Sequence, residues 1–275
     1  MASALPRVDT IRLMDSNAVS LHIKSSDATV ALHRETVCRR VFSYFEQHFN
    51  QTSENKVVCL LDDEDFDELK FRAGKANRGL HLRIEGTPLR GLVPQYFWDV
   101  VRPYDPVSGK CRSPFDSLIY LHGSTCEADI GLTLTLAHEL RHVFQYAMQR
   151  SAWAANVLLQ HLPEPFNCDF KVWWNFPIEV DARRVAKAVA ENLYGQDKVM
   201  QYVVERIASP VTEEDGKDWR FLLGLDTAAA YDLVQQTKPL VQKYKAQLKQ
   251  VQQQPAWNQN KAFSTLNFDS SEWHP

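Results

Sequence analysis

The sequence predicts an α+β fold, with a small mixed or antiparallel sheet followed by a mainly helical C-terminal part. Two observations predict it. Short apolar runs of strand length are concentrated in the first half of the chain. Longer segments with helical periodicity dominate the second half, among them residues 132–148, which contain no proline. The 275 residues, 44% of them hydrophobic, are enough for one substantial core.

Four strands and a helix are expected before residue 125. The strands are short runs rich in Val, Leu and Ile. They span Ala18–Ile23, Lys56–Leu61, Gly79–Ile84 and Ser117–Leu121. The helix, Glu35–Phe49, lies between the first two strands.

The second half is expected to be helical. The expected helices are Leu132–Met148, Asn175–Ala186, Lys198–Ile207, Trp219–Leu225 and Ala228–Gln254, the last broken or bent at Pro239. Residues 1–210 are expected to form the main domain. Residues 211–254 form a helical extension packed on it, and 255–275, rich in Gln, Asn and Ser, form a loose tail.

His138, Glu139 and His142 form a HExxH motif on one predicted helix. Residues four apart stack on one helix face, so both imidazoles can reach a single metal ion. Glu139 lies about 100° round the helix, beside that ion, where it can take a proton from a bound water. Gln145 shares the histidine face, and the apolar residues lie opposite. The motif therefore predicts a zinc hydrolase whose histidine face points away from the main packing surface.

Catalytic zinc needs a third protein ligand. Glu179 is the leading candidate, because it lies in the apolar stripe of the predicted helix after Asn175, where an acid must be paired or metal-bound. The alternative for Glu179 is a helix-terminal charge paired with Arg183 four residues later. Asp181, expected on the polar side, is the first substitute ligand. Weaker candidates are His161, Glu164, Cys168, Asp169 and His122.

These two segments resemble the zincin metallopeptidases of the gluzincin branch, loosely the small ImmA/IrrE group, in which a later Glu completes HExxH. The resemblance covers about twenty positions and implies a zincin-like metallopeptidase domain. It also implies that the strand just before the motif lies along the cleft and pairs with extended substrate. Many gluzincins place Asp or Asn four residues after the third ligand, where it supports a zinc-bound histidine. Here that position is Arg183, a candidate for orienting a ligand.

Composition narrows the choice of partners and compartment. A net charge of -3 gives no positive field for nucleic acid or anionic membrane. Residues 1–15 contain no apolar signal segment, and no run reaches membrane-spanning length. The five cysteines show no CxxC spacing and are expected to be reduced thiols. A cytoplasmic location is therefore expected.

The predicted function is a zinc-dependent endopeptidase acting on a protein or peptide, with Glu139 as general base on zinc-bound water. Four residues are candidates for stabilising the oxyanion: Tyr194, Tyr202, His161 and Arg183. Two alternatives stay open. One is a zincin-fold binding or regulatory module with little turnover, and the other is an accidental motif in a helical interaction protein. The substrate, the cleavage site and the oligomeric state are not specified by the sequence.

Overall fold

The computed structural model describes residues 11–15, 19–49, 56–62, 78–84, 97–101, 104–105, 110–111, 113–123, 128–162, 175–229, 231–258 and 261–268. The strands are β1 (Ile11–Asp15), β2 (Val19–Lys24), β3 (Val57–Asp62), β4 (Gly79–Arg83), β5 (Tyr104–Asp105), β6 (Lys110–Cys111) and β7 (Ser117–His122). The helices are α1 (Ala28–Phe49), α2 (Trp98–Val101), α3 (Asp129–Met148), α4 (Arg150–Leu159), α5 (Pro177–Tyr194), α6 (Gln196–Ala208), α7 (Glu213–Leu223), α8 (Leu233–Gln252), α9 (Pro255–Asn258) and α10 (Lys261–Ser264). This element content confirms the α+β prediction.

Five strands form a mixed sheet in the order β1-β2-β3-β7-β4. The central strands β2, β3 and β7 are parallel, with Leu21 opposite Cys59 and Cys59 opposite Ile119. The outer strands β1 and β4 are antiparallel to their neighbours. Parallel neighbours need a crossover, and α1 supplies it between β2 and β3. All four expected strands are present, within one residue at each end.

The central strands β2, β3 and β7 are buried on both faces of the sheet, to which alternate residues point. One face, which includes Leu21 and Ile119, packs in the same core cluster as residues of α1, α3 and α5. The other face, which includes Leu60 and Tyr120, packs with Phe97 and its neighbours. Burial on both faces explains why β3 is a continuous apolar run through Leu61 instead of an alternating one.

Local capping moves two helix starts to earlier residues than the periodicity indicates. Helix α1 begins at Ala28, not at Glu35, because the Asp27 carboxylate accepts hydrogen bonds from the N–H groups of Thr29 and Val30. Helix α7 begins at Glu213, six residues before the expected Trp219, because the Thr212 hydroxyl accepts from the Asp215 N–H. Both signals are present in the sequence and were missed.

Helix α8 continues through Pro239, and the expected bend there is wrong. Pro239 is the seventh residue of α8, and the backbone stays helical there although an interior proline removes one hydrogen bond of the helix. The non-helical backbone lies later, at Tyr244, with φ -108° and ψ 16°. Among the described residues, no helix is long and apolar enough to cross a bilayer.

The expected loose tail is corrected for residues 255–258 and 261–268, which pack against a second core cluster built by α4, α5 and α8. Phe263 and Phe268 are each 3% exposed. The Phe263 ring stacks on Trp153 with centroids 6.2 Å apart and meets Trp257 edge-on at 4.9 Å. Two aromatic anchors outweigh the polar composition around them, because each buries a large apolar area.

Replacing Phe263 with Ala should lower the free energy of unfolding by about 3–5 kcal/mol, because the change leaves a cavity beside Trp153. Urea unfolding followed by tryptophan fluorescence measures the loss. Leu32→Ala is the control, since Leu32 is 62% exposed and should change stability by less than about 0.5 kcal/mol. Equal, small effects of the two changes would mean that the C-terminal segment is not docked.

Candidate metal centre

Three elements surround the HExxH motif. Helix α3 carries His138, Glu139 and His142, helix α5 carries Glu179, and strand β4 passes beside α3. The two helices pack closely along their length. This contact uses small side chains, since Ala182, Ala186 and Ala190 of α5 are all buried. Close packing of α3 on α5 brings residues 40 positions apart in sequence into direct contact.

Three donor side chains converge between α3 and α5. The Nε2 atoms of His138 and His142 lie 3.0 Å apart. Glu179 Oε2 is 3.4 Å from the first of these nitrogens, and Oε1 is 3.5 Å from the second. Tetrahedral ligands at about 2.0–2.1 Å from zinc are separated by about 3.3 Å. The two Glu179 distances involve different oxygens, and with one donor atom taken from each residue the three atoms lie within 4.8 Å of one another. This is the one group found among the described residues that could hold a metal ion.

Gln145 fixes the proton on His142. The Gln145 Nε2 group donates to the carbonyl of Ile178 and to Asp181 Oδ2, at 3.0 and 2.8 Å. This identifies the other amide atom, 2.8 Å from His142 Nδ1, as the oxygen. His142 Nδ1 therefore carries a proton that it donates to Gln145, and Nε2 is the nitrogen that faces His138 and Glu179.

Asp181 is part of this support and faces away from the three donor atoms. Its Oδ2 accepts from Arg141 Nε at 2.7 Å as well as from Gln145, and its Oδ1 lies 3.3 Å from Arg141 Nη2. Asp181, expected on the polar side of the helix, is buried, with 2% of its surface exposed. The physical reason is that Arg141 and Gln145 satisfy the carboxylate in the interior. Both oxygens are occupied, which argues against Asp181 as the substitute ligand.

Glu179 is held by a chain of alternating charges. Arg183 Nη1 donates to Glu179 Oε2 at 3.0 Å, and Arg183 Nε donates to Asp218 Oδ1 at 2.8 Å. Asp218 also pairs with Arg78, whose guanidinium lies 4.0 Å from the Trp219 ring centroid. Burial alone would raise the pKa of Glu179, but the adjacent His142 and His138, with Arg183, outweigh it and lower the pKa to about 2. Glu179 is therefore an anion, both paired with Arg183 and turned towards the histidines.

Glu139 has a different environment from Glu179. Burial raises the pKa of Glu139 to about 7, against the opposing charge of His142 and a hydrogen bond from the His81 backbone N–H. Strand β4 approaches closely here because residue 79 is glycine: a Cβ at Gly79 would lie 2.8 Å from Thr135 Cγ2 and 3.1 Å from Glu139. The carboxyl group is thus enclosed by β4, and it changes between its protonated and ionised forms near neutral pH.

Two imidazoles at the site, those of His138 and His81, are neutral near pH 7. Burial, followed by the electrostatic effect of the neighbouring His142, lowers the pKa of His138 to about 4. Burial, followed by His142 and Arg83, lowers the pKa of His81 to about 3. The His81 ring lies beside the motif, with its centroid 6.4 Å from that of His142. Neutral imidazoles are the form that binds metal ions.

The motif's polar face is buried, in contrast to the expected outward orientation. His142 and Glu139 are 8% and 7% exposed, and Gln145 is fully buried. Helix α5 and strand β4 cover this face. Gln145 and Arg141 both bind the buried Asp181 carboxylate, so these polar groups have hydrogen-bond partners without solvent. Periodicity identified the face correctly but not what covers it.

The other candidates lie away from the three donors or outside the described residues. His122 is the last residue of β7, and its ring contacts that of Tyr120 edge-on. Both residues lie on the sheet face that is turned away from α3. His161 bonds to the Val157 carbonyl and meets Trp257. Tyr194 bonds to Thr133, and Tyr202 to Arg206. Glu164, Cys168 and Asp169 lie outside the described residues.

Sequence reasoning missed four residues that shape the site: Gln145 as a histidine partner, Arg78, His81 and Asp218. Gln145 had a signal, since it falls on the histidine face. Asp218 sits in the polar run from Glu213 to Asp218, where nothing marks it as 15% exposed and doubly paired. The strand expected to lie along the cleft, β7, is instead bonded on both sides by β3 and β4, and β4 is the edge strand next to the motif.

Comparisons of this chain with protein-family models, with curated proteins and with solved structures return no match. No family is therefore assigned. The arguments about the site rest on its own geometry, above all on the convergence of His138, His142 and Glu179.

Replacing Gln145 with Ala should weaken Zn²⁺ binding about 10- to 100-fold, because His142 loses the acceptor that fixes its tautomer. Competition against a chromophoric chelator measures the affinity, and circular dichroism checks the fold. Gln201→Ala is the control, since Gln201 is an exposed glutamine on α6 bonded only to Glu205. A folded Gln145→Ala protein with unchanged affinity would contradict the assigned role of Gln145.

Replacing Gly79 with Ala should cost about 1–3 kcal/mol of stability, because the new methyl group overlaps the stiff Thr135 side chain and presses on Glu139. Thermal unfolding measures the loss. Gly224→Ala is the matched control, because a Cβ there meets only carbonyl oxygens at 3.7 and 3.8 Å. Equal stability of the two variants would mean that β4 does not approach α3 as closely as described.

Proposed function

We propose that the protein is a zinc-dependent endopeptidase with a zincin-like catalytic domain. The observation that carries the proposal is the convergence of two imidazole nitrogens and the Glu179 carboxylate. Beside them lies a second carboxyl group, Glu139, whose pKa is raised whereas that of Glu179 is lowered. Two His and one Glu, with one position left for water, form a ligand set of catalytic zinc sites. The resemblance of HExxH plus a later helical Glu to the gluzincins supports the same reading.

The ligand atoms follow from the hydrogen bonds. His138 and His142 would hold zinc through Nε2, and Glu179 through Oε1, since Oε2 accepts from Arg183. When bound, zinc polarises a carbonyl oxygen and lowers the pKa of water at the site. Arg183 orients Glu179, and its donors are already directed to Glu179 and Asp218. Arg183 is therefore a positioning residue and a poor choice as oxyanion donor.

Glu139 is the proposed general base. It accepts a proton from the attacking water and returns that proton to the leaving amine. A carboxyl group whose pKa is raised to about 7 suits both steps, because it changes protonation state near neutral pH. Glu179 cannot do this, since its pKa is lowered to about 2. The two acids therefore have separate roles: His142 and His138, followed by Arg183, lower the pKa of Glu179, whereas burial raises that of Glu139.

Strand β4 is the proposed binding edge for an extended peptide. In the described part of the chain, no strand pairs with its outer side. Its Gly79 contacts Glu139, and its His81 lies beside His142. A substrate that adds to β4 as a further strand would pass its backbone along α3, next to the general base.

Glu139→Gln should retain zinc but lose about 10²- to 10⁴-fold in cleavage rate, because the amide cannot accept the proton. His142→Ala should lose the metal. Purified wild type should contain about one zinc per chain by elemental analysis. Cleavage is measured by mass spectrometry on a peptide mixture prepared from a whole proteome. Glu46→Gln, at an exposed position of α1, is the matched control and should behave as wild type.

Two results would contradict the proposal in different ways. The first result is a zinc-containing protein that cleaves no peptide, or that cleaves peptides equally well as wild type and as Glu139→Gln. This would favour the binding or regulatory module. Metal-free wild type, with the same thermal stability before and after chelation and after added zinc, would mean that the motif is accidental, because a ligand that binds the native state must stabilise it.

A further inference from the structure

Asp218 lies one residue away from the candidate metal centre, and the proposed function gives it no role of its own. Its Oδ1 accepts a hydrogen bond from Arg183 Nε at 2.8 Å, and its Oδ2 pairs with the Arg78 guanidinium. Arg183 in turn donates from Nη1 to Glu179 Oε2 at 3.0 Å. Asp218 therefore reaches the proposed metal ligand Glu179 through a single arginine.

Helix α7 holds Asp218 in place through the next residue, Trp219. Trp219 is buried in the core cluster shared by α1, α3 and α5, and its ring meets that of Tyr202 edge-on, with centroids 5.7 Å apart. The Arg78 guanidinium lies over the same indole ring, 4.0 Å from its centroid. The Asp218 side chain is largely buried between its two arginine partners. Charges in such a place are weakly screened by water, so they act strongly on their neighbours.

Asp218 carries a negative charge at neutral pH. Burial would raise its pKa, but the charges of Arg183 and Arg78 outweigh burial and lower it. The carboxylate thus offsets positive charge on the side of the metal centre that faces α7.

Arg183 and a metal ion would compete for the same carboxylate. Glu179 Oε2 accepts from Arg183 and lies 3.4 Å from His138 Nε2. A cation among the three donors would share Glu179 with a guanidinium, and the two positive charges would repel each other. Asp218 weakens both effects, because it accepts a hydrogen bond from Arg183 Nε and offsets the charge of that guanidinium. Without Asp218, the positive charge of Arg183 would act on Glu179 and on the metal in full.

We propose that Asp218 is a positioning residue that keeps Glu179 available to zinc by offsetting the charge of Arg183. The inference rests on the proposed function, because it concerns the same metal centre. A neutral side chain at residue 218 leaves Arg183 unbalanced, and the affinity for zinc falls. The contribution of Asp218 is its negative charge and not the shape of its side chain.

The test compares the zinc affinities of wild type, Asp218→Asn and Asp218→Glu, measured by competition against a chromophoric chelator. Asp218→Asn keeps the shape without the charge and should bind zinc about 10- to 100-fold more weakly. Asp218→Glu keeps the charge and should recover most of that loss. If Asp218→Glu binds zinc no better than Asp218→Asn, the inference is overturned. Glu213→Gln is the matched control, because Glu213 is an ion-paired acid on the exposed side of the same helix, bonded to Lys217.

A double variant shows whether the effect passes through Arg183. In Arg183→Gln protein, the change Asp218→Asn should alter zinc affinity little, because no guanidinium is left to offset. An equal loss in both backgrounds overturns the inference, since the effects of independent sites add. If Arg183→Gln no longer binds zinc, the comparison of Asn with Glu at residue 218 decides. Circular dichroism and thermal unfolding of the metal-free proteins check that each variant is folded.

Zinc affinity separates this inference from the proposed function, because it is measured without turnover. Wild type that binds zinc, with Asp218→Asn binding it equally well, overturns the role of Asp218 and leaves the peptidase function standing. Wild type that binds no zinc overturns both. Weaker binding by Asp218→Asn supports the role of Asp218 even where no peptide is cleaved.

Discussion

The ion pair between Glu179 and Arg183 is the interaction on which the site depends. A carboxylate that is 5% exposed is costly unless a positive group compensates it, and α5 supplies that group one turn later. A buried Arg183 would be equally costly alone, and it forms a second ion pair with Asp218. Asp218 in turn pairs with Arg78, the residue before β4. The chain of four charges sums to zero and links α5, α7 and β4. It therefore fixes Glu179 and, through Arg78, the first residue of the strand that lies beside Glu139.

A second neutral pair supports the other side of the site. Asp181 and Arg141 cancel each other's charge, and the Arg141 guanidinium lies over the rings of Phe144 and Phe49, at 4.6 and 5.2 Å. With both ion pairs balanced, Glu139 is the acid among the described residues of the centre for which no arginine ion pair is found. Burial therefore dominates the pKa of Glu139, whereas the adjacent His142 and His138, followed by Arg183, dominate that of Glu179. A divalent cation placed among the three donors would supply the charge that Glu139 lacks, so the proposed metal and the proposed base are electrostatically complementary.

Periodicity was sufficient for the parts of the fold that one element determines. It placed the histidines on one face of α3 and Glu179 on the buried stripe of α5, because each inference needs only the geometry of a single helix. It failed where two elements meet. Periodicity places Asp181 on the polar side of α5 but does not show its burial, because its partners, Arg141 and Gln145, lie about forty residues earlier on α3. Asp218 and Arg78 are 140 residues apart, and no local pattern connects them. The C-terminal segment was misjudged because composition averages over residues, whereas Phe263 and Phe268 dock individually.

The support of His142 differs in kind from that expected from the gluzincin resemblance. In that pattern, an Asp or Asn four residues after the third ligand supports a zinc-bound histidine, and here Arg183, which cannot accept a hydrogen bond, occupies the position. Gln145, on the same helix as His142, takes over the role and is oriented by Asp181. An amide acceptor raises the basicity of a histidine less than a carboxylate does, and Arg183 draws negative charge away from Glu179. Both changes leave the ligand set less electron-rich. Under the proposed function, a cation held by such ligands would keep more of its positive charge for a substrate carbonyl, which would favour polarisation of that bond over tight retention of the metal.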